Sequence, residues 1–345
     1  FGMTIHEIED DGVAIDKKIE ILMSSDTSVA ISKSMGLAMI SFGEYFEELK
    51  PDALMVLGDR YETLAVCAAA MNARIPIIHL HGGETTEGAV DEAIRHAITK
   101  MSYLHFTSTE AYRKRVIQLG ESPDRVFSVG AMGVENTLHI PLMSKTELED
   151  SLGCSLGAHY AVGTFHPVTL ENQSAEDQTL ELMSVIESYP ELVFLFTKAN
   201  ADNNGRIINR LLEEYSSKLS NLFVYDSLGL KRYLSAVKNA EFVIGNSSSG
   251  LLEVPSFGIP TINIGDRQKG RIQGETIINC EPNAEDISRS IELALSSEFR
   301  KQIQNAVNPY GDGNTSDKII RITKEMFSDG RVDLKKKFFD VDFSL

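Results

Sequence analysis

No stretch of some 20 consecutive apolar residues occurs in the 345-residue chain, which leaves nothing able to cross a bilayer as a helix. The start, Phe1-Gly2-Met3-Thr4, has no signal-peptide pattern, and a soluble cytoplasmic protein with no membrane partner is the expectation. Cysteine is scarce. Cys67, Cys154 and Cys280 lie far apart, in or beside apolar segments, so they read as buried thiols and imply no disulfide framework. Positive charge is also short: 33 Lys and Arg against 50 Asp and Glu leave a net charge of −17. Phosphate backbones are bound by concentrated Lys and Arg, so no nucleic-acid partner is expected. An anionic substrate would have to be met locally, by helix N-termini, clustered backbone N–H groups and a few arginines. The spacings H-E-x-x-H and C-x-x-C are absent, and no metal site is expected. There is no G-x-S-x-G elbow and no G-x-x-x-x-G-K-[ST] loop, which removes the commonest serine-hydrolase and P-loop readings.

What is present is the composition of a globular protein, 42% hydrophobic and 24% charged, which sets aside disorder and fibrous repeats. The length suggests about two domains. After a loop or short strand over residues 1–14, Asp16 to Met23 reads as polar or helical, and Val29 to Lys50 as an amphipathic helix ending at Pro51. Apolar runs at Ala53 to Leu57, Ile75 to Leu80, Tyr103 to Thr107 and Arg125 to Val129 then alternate with helix patterns. Such alternation implies a parallel sheet with helices on both faces. Between Pro141 and Leu156 the pattern lapses into polar and glycine-containing sequence, and the domain boundary is placed there. From Tyr160 the alternation resumes, with strands at Tyr160 to Thr164, Leu192 to Thr197, Leu222 to Tyr225, Phe242 to Ile244 and Pro260 to Ile264. The turn Gly311-Asp312-Gly313-Asn314 precedes a last helix, Thr315 to Phe327. The expected fold class is α/β, with two Rossmann-like doubly wound domains facing a cleft, at 1–150 and 151–310. Residues 311–345 are expected to form a C-terminal helix and tail packing back on the first domain. The lysine-rich stretch after Gly330 carries no functional signal.

Ligands of open parallel sheets lie beyond the carboxyl ends of the strands. Two of those ends carry crowded chemistry: Gly58-Asp59-Arg60-Tyr61-Glu62 after one strand, and His81-Gly82-Gly83-Glu84 followed by Asp91, Arg95 and His96 after the next. Asp59 or Asp91 alone passes for a helix N-cap. The crowding of His79, His81, Glu84, Arg60, Arg95 and His96 around them is not explained that way. Carboxylates in different surroundings supply a base and an acid at one pH, which makes these loops the candidate catalytic site.

In the second half, His166 is followed by Pro167, which fixes the backbone after the imidazole; it can meet a diphosphate or act as an acid, or simply cap a turn. Ile244-Gly245-Asn246-Ser247-Ser248-Ser249-Gly250 runs from a strand into hydroxyl residues and a helix start. Backbone N–H groups and hydroxyls there can receive a phosphate, or over-cap the helix. Glu253 can accept a ribose diol or belong to an ordinary first turn. Arg267, Lys269 and Arg271 supply local positive charge or form a solvated loop, and Asn200 can touch a base or sugar or sit in a plain loop. Phosphate donors beside a ribose acceptor suggest a nucleotide.

These residues, with His79-Leu80-His81-Gly82-Gly83-Glu84-Thr85-Thr86-Glu87-Gly88, Asp91 to Ser102 and Tyr310-Gly311-Asp312-Gly313-Asn314, resemble the hydrolysing UDP-N-acetylglucosamine 2-epimerases of sialic acid biosynthesis, over nearly the whole chain. The resemblance implies a glycosyltransferase-B-like fold and conversion of UDP-N-acetylglucosamine and water to N-acetylmannosamine and UDP. It implies no metal or redox cofactor, and a homodimer or homotetramer. It matches Asp59 and Asp91 to proton-transferring carboxylates and His166 to a histidine near the diphosphate. Arg60, Asn200, Ser247, Ser248, Glu253 and Arg267 match UDP-contacting positions, with Asn246 and Arg271 beside them.

Some relatives carry a glutamate where this chain has His81, so either His81 or Glu84 is expected to handle that proton. The family also opens with a strand and an Arg-containing loop, about one βα unit or roughly 30–40 residues, that precedes the match to Phe1. The same reaction on UDP-2,4-diacetamido-2,4,6-trideoxyglucose is the close alternative. A non-hydrolysing epimerase is a second, although its E-A-G-x-R-T segment is absent. A glycosyltransferase of the same fold, or a nucleotide-sugar-binding protein without catalysis, are the others.

Overall fold

A computed structural model describes residues 5–10, 12–23, 27–85, 90–167, 174–199, 205–328 and 332–342. The chain divides into two compact units, residues 1–129 with 317–345 and residues 130–316.

Unit 1 contains α1 (Ile5–Asp10), α2 (Ser28–Leu49), β1 (Leu54–Leu57), α3 (Tyr61–Asn72), β2 (Ile77–Leu80), α4 (Val90–Met101), β3 (Leu104–Thr107), α5 (Glu110–Gln118) and β4 (Val126–Ser128). Its four strands lie in the order β1-β2-β3-β4, and every pairing is parallel. The period of 2 along a strand sorts side chains onto two faces. Ile77 joins Phe46, Cys67 and Ile98 in one core. Ile78, Leu80, Leu104 and Phe106 join Ile319 and Ile322 in the other. The register sets His79 directly across from His105, and both imidazoles are fully buried.

Unit 2 contains α6 (Met132–His139), α7 (Lys145–Leu152), β5 (Tyr160–Thr164), α8 (Ala175–Ser188), β6 (Val193–Thr197), α9 (Gly205–Ser216), β7 (Leu222–Tyr225), α10 (Gly229–Lys238), β8 (Val243–Gly245), α11 (Ser249–Leu252), β9 (Thr261–Ile264), β10 (Ile277–Cys280), α12 (Ala284–Leu295) and α13 (Ser297–Gln302). The last helix, α14 (Thr315–Phe327), follows. Six parallel strands run β10-β9-β8-β5-β6-β7. The same alternation gives this sheet two covered faces. Ala161, Phe194 and Phe196 pack with α8, α9 and α12, while Tyr160, Val162 and Leu195 pack with α7 and α10. Sheets buried on both sides are what parallel βα repeats produce.

Three local features differ from the sequence expectation. The division between the units falls at Val129–Gly130, before the polar stretch at 141–156, because that stretch is itself structured. Ser144 and Glu147 form a reciprocal capping box that starts α7, and Leu148 and Leu152 enter unit 2's core. β10 is an added edge strand, whose only apolar residues before Cys280 are Ile277 and Ile278. At the start, α1 (Ile5–Asp10) is helical where a loop or short strand is expected, and residues 13–23 form no helix.

Candidate active site

The two loops at the carboxyl ends of β1 and β2 come together around one buried guanidinium. Arg95, in the second turn of α4, has a side chain only 3% exposed, and three of its partners join the loops to the helix. These are the Asp59 carboxylate, Glu92 Oε2 at 2.6 Å and the backbone oxygen of Glu84 at 2.9 Å. A planar guanidinium suits several fixed acceptors, and here it ties the β1 loop, the β2 loop and α4 into one body.

A second tie closes a ring. His79 is driven down to about 3 by burial, with the neighbouring His105 adding to the effect, so its imidazole is neutral and carries one proton. Its Nε2 lies 3.2 Å from Gly58 O, which can only accept, so the proton is assigned to Nε2. Nδ1 then faces Thr99 Oγ1 at 3.2 Å, a hydroxyl whose one hydrogen is shared between this nitrogen and the backbone oxygen of Arg95 at 3.0 Å. Thr99 stands one helical turn beyond Arg95, and Arg95 returns to Asp59. The circuit Gly58, His79, Thr99, Arg95, Asp59 fixes the aspartate on both its backbone and its carboxylate side.

Asp91, in the first turn of α4, responds differently. Burial raises its pKa, the negative charge of Asp59 raises it further, and Arg95 and Arg60 only partly oppose them. One carboxylate is therefore ion-paired while its neighbour is pushed toward keeping its proton. This is the separation that lets two like groups serve as base and acid.

His81 directly follows β2, with its amide donating to Phe106 O at 2.8 Å and with φ at +63°. The left-handed region is unfavourable for a residue with a Cβ, and such outliers gather at functional sites. Its Nδ1 lies 3.0 Å from Glu84 Oε1, an oxygen that also accepts from Ser108 Oγ at 2.8 Å. The other ring nitrogen, Nε2, is buried with no hydrogen-bond partner among the described residues. Glu84 thus stands behind His81 as an orienting carboxylate. Arg60 is the outlying member of the set: its side chain is 72% exposed and paired with Glu62 at 3.2 Å.

In unit 2 the chain runs from β5 to β6 and β7 on one side, then returns to place β8 on the other side of β5. That reversal is a topological switch point, where open sheets bind ligands. The loops after β5 and β8 carry His166 and the serine cluster. Gly245 permits their approach: its φ is +131°, and a Cβ there would lie 2.0 Å from Thr164 O.

Asn246 joins the loops, accepting from His166 N at 2.7 Å and donating to His166 O at 2.8 Å. Its own carbonyl accepts from Arg267 at 3.0 Å and from Gln268 at 2.8 Å. Asn246 is 1% exposed with its amide engaged on both sides, which corrects the expectation of a ligand-contacting side chain. It is the clasp that holds the loop. Ser248 opens α11 without capping it, and Ser247 and Ser248 are part-exposed. Glu253 sets its carboxylate against Gly133, where a Cβ would meet Oε1 at 2.4 Å. Arg267 and Arg271 are half-buried. Asn200 lies outside the described residues, as do Thr86, Glu87 and Gly88 of the second motif.

Two parallel sheets, each wrapped by helices and each with polar loops at its carboxyl edge, place the protein among α/β proteins of glycosyltransferase-B-like fold. Residues 1–324 match the model of the UDP-N-acetylglucosamine 2-epimerase family, and the chain belongs to that family. It is 43% identical to the polysialic acid biosynthesis protein P7 of Escherichia coli, over 99% of this chain and 87% of that protein. It is 42% identical to the hydrolysing GDP/UDP-N,N'-diacetylbacillosamine 2-epimerase of Campylobacter jejuni, over 93% of this chain and 83% of that one. The crystal structure of the UDP-GlcNAc 2-epimerase of Neisseria meningitidis bound to UDP-GlcNAc shares the fold. Its TM-score is 0.71 at 19% identity, covering 94% of this chain and 88% of that one.

Proposed function

We propose that the protein is a hydrolysing UDP-N-acetylglucosamine 2-epimerase, converting UDP-N-acetylglucosamine and water to N-acetylmannosamine and UDP. The observation that carries the reading is the unequal carboxylate pair, Asp59 bound to Arg95 and Asp91 with its pKa raised.

The hydrogen on C2 lies beside an acetamide nitrogen rather than a carbonyl, so direct removal and return of that proton has no enolate to pass through. Elimination avoids the difficulty. Asp59 takes the C2 proton, the C1–O bond to UDP breaks, and the electron pair closes a C1=C2 double bond. In the second half His81, through Nε2, takes a proton from water as its oxygen adds to C1, and Asp91 gives a proton to the opposite face of C2. The configuration is then that of mannose, and one water has been consumed. Unit 2 holds the nucleotide. His166, Ser247, Ser248 and Arg267 serve the diphosphate, Glu253 serves the ribose, and Asn246 keeps the loop in shape. Product analysis in water labelled with both heavy oxygen and deuterium decides the matter. Label at C1, deuterium uptake at C2 and free UDP are expected, whereas UDP remaining on the sugar would refute hydrolysis.

The same chemistry on a UDP-2,4-diacetamido sugar is the second reading, favoured by the Campylobacter relative. Parallel incubation of both substrates separates the two by kcat/KM. For the nucleotide, Ser248→Ala with Arg267→Ala is expected to weaken UDP binding by about ten- to hundred-fold, through loss of a hydroxyl donor and a charged one. Isothermal titration with UDP checks it, and unchanged affinity would remove these residues from the diphosphate site.

A further inference from the structure

The lysine-rich C-terminal segment does not trail into solvent. Lys336 uses all three hydrogens of its ammonium group, on Lys100 O at 3.0 Å, Ser102 O at 2.6 Å and Glu121 Oε2 at 2.5 Å. Lys100 and Ser102 stand at the C-terminal end of α4, where helix carbonyls lack intrahelical partners and a cation is favoured. Glu121 is 1% exposed, and its other contacts are Lys100 at 2.6 Å and His105 at 3.0 Å. Burial alone would raise the Glu121 pKa, but hydrogen bonds from His105, Lys100 and Lys336 outweigh it and hold it at about 2.

The neighbouring residues complete the attachment. Phe339 N donates to Gly120 O at 3.0 Å. Phe338 covers Gly120 so closely that a Cβ there would fall 2.3 Å from the ring, and Lys100 Nζ sits 5.0 Å from the same ring's centre. The segment fastens the C-terminal end of α4, while Asp91 lies in its first turn and Arg95 in its second. The helix is a rigid rod that puts them about 14 Å and about 8 Å along its axis from Lys100.

We propose that residues 332–342 are a strap that sets the placement of α4, and that Lys336 is a positioning residue for the acid pair. The second half rests on the function proposed above. The tests compare the full chain with Lys336→Met, Lys336→Arg and the double variant Glu121→Gln/Lys336→Met. In Lys336→Met, amide hydrogen exchange over residues 95–102 is expected to quicken by at least about five-fold. Its kcat is expected to fall by roughly ten-fold with UDP affinity unchanged, and arginine to restore most of the loss. The double variant leaves no uncompensated buried charge, so it folds even where the single one does not, and its strap is still untied. It should keep the fast exchange and low kcat. Parental exchange and kcat in the double variant would overturn the proposal. So would unchanged exchange in Lys336→Met, or equal losses of kcat and UDP affinity. Should the parent act on neither UDP-sugar, the functional reading alone fails, and exchange still decides the strap.

Discussion

Asp59→Asn is expected to lower kcat by roughly 10²- to 10⁴-fold, the range that a positioned general base supplies, with UDP affinity held within about three-fold because the nucleotide is assigned to unit 2. Asparagine keeps the size of the side chain but cannot accept the C2 proton. It also takes a charge from Arg95, which retains Glu92 and the Glu84 carbonyl, so a stability loss of about 1.5–3 kcal/mol accompanies the change. The loss should appear as a lower melting temperature without loss of fold.

A pH signature separates the catalytic role from this structural one. Burial and then the Asp59 charge raise the Asp91 pKa. Turnover that needs protonated Asp91 therefore declines as pH rises through that raised value. Removing the Asp59 charge lowers the Asp91 pKa, so the declining limb of the residual activity must move to lower pH. Stability follows with a fixed sign. Between the ordinary carboxylate value and the raised one, the folded state binds more protons than the unfolded, so stability falls as pH rises across that window. Asp91→Asn should flatten the slope. Parental activity in Asp59→Asn, or a limb that does not move, would remove the pair from the chemistry.

Much of the scaffold was legible because most of its strands are short apolar runs, and the first two stop at a glycine and a histidine. The run ending at Leu57 and that ending at Leu80 locate β1 and β2 to within two residues. α7 escaped because only Leu148 and Leu152 face the core, too few to show a period amid charged neighbours. β10 escaped for a similar reason, with two isoleucines beside polar residues.

The site divides along the same line. Asp59, His81 and Glu84 announce themselves by sitting where strands end, and Asp91 and Arg95 by crowding into the segment that follows. Their pairings do not: Arg95 reaches Asp59 from α4, Thr99 reaches His79 from the same helix, and Ser108 reaches Glu84 from the end of β3. Which groups meet is a property of register and helix rotation, not of spacing in the chain. Asn246 shows the reverse failure. An amide in a glycine- and serine-rich loop looks the same whether it faces a ligand or closes the loop on itself, and only the paired bonds to His166 distinguish the two. Lys336 finds its partners more than 200 positions earlier, beyond any local pattern.

His81→Gln is expected to separate the two halves of the reaction. In the proposed mechanism the imidazole acts only after UDP has left, so the variant should release UDP while hydration of the glycal slows by roughly 100-fold. The unsaturated sugar should then accumulate, visible by mass spectrometry as a product one water lighter than N-acetylmannosamine. The geometry supplies the reason. Glu84 and Ser108 fix the Nδ1 side of the ring, and Nε2 has no partner among the described residues, which is the arrangement of an imidazole oriented by a carboxylate and left open at its working nitrogen. Glutamine cannot take a proton there at neutral pH. Glu84→Gln keeps an oxygen facing Nδ1 but loses the charge that stabilises the imidazolium formed when water is deprotonated, so it should slow hydration by about ten-fold. UDP and N-acetylmannosamine appearing in equal amounts at the parental rate in His81→Gln would exclude the imidazole from hydration. If UDP release itself collapsed, the proton handled at this position would belong to the elimination.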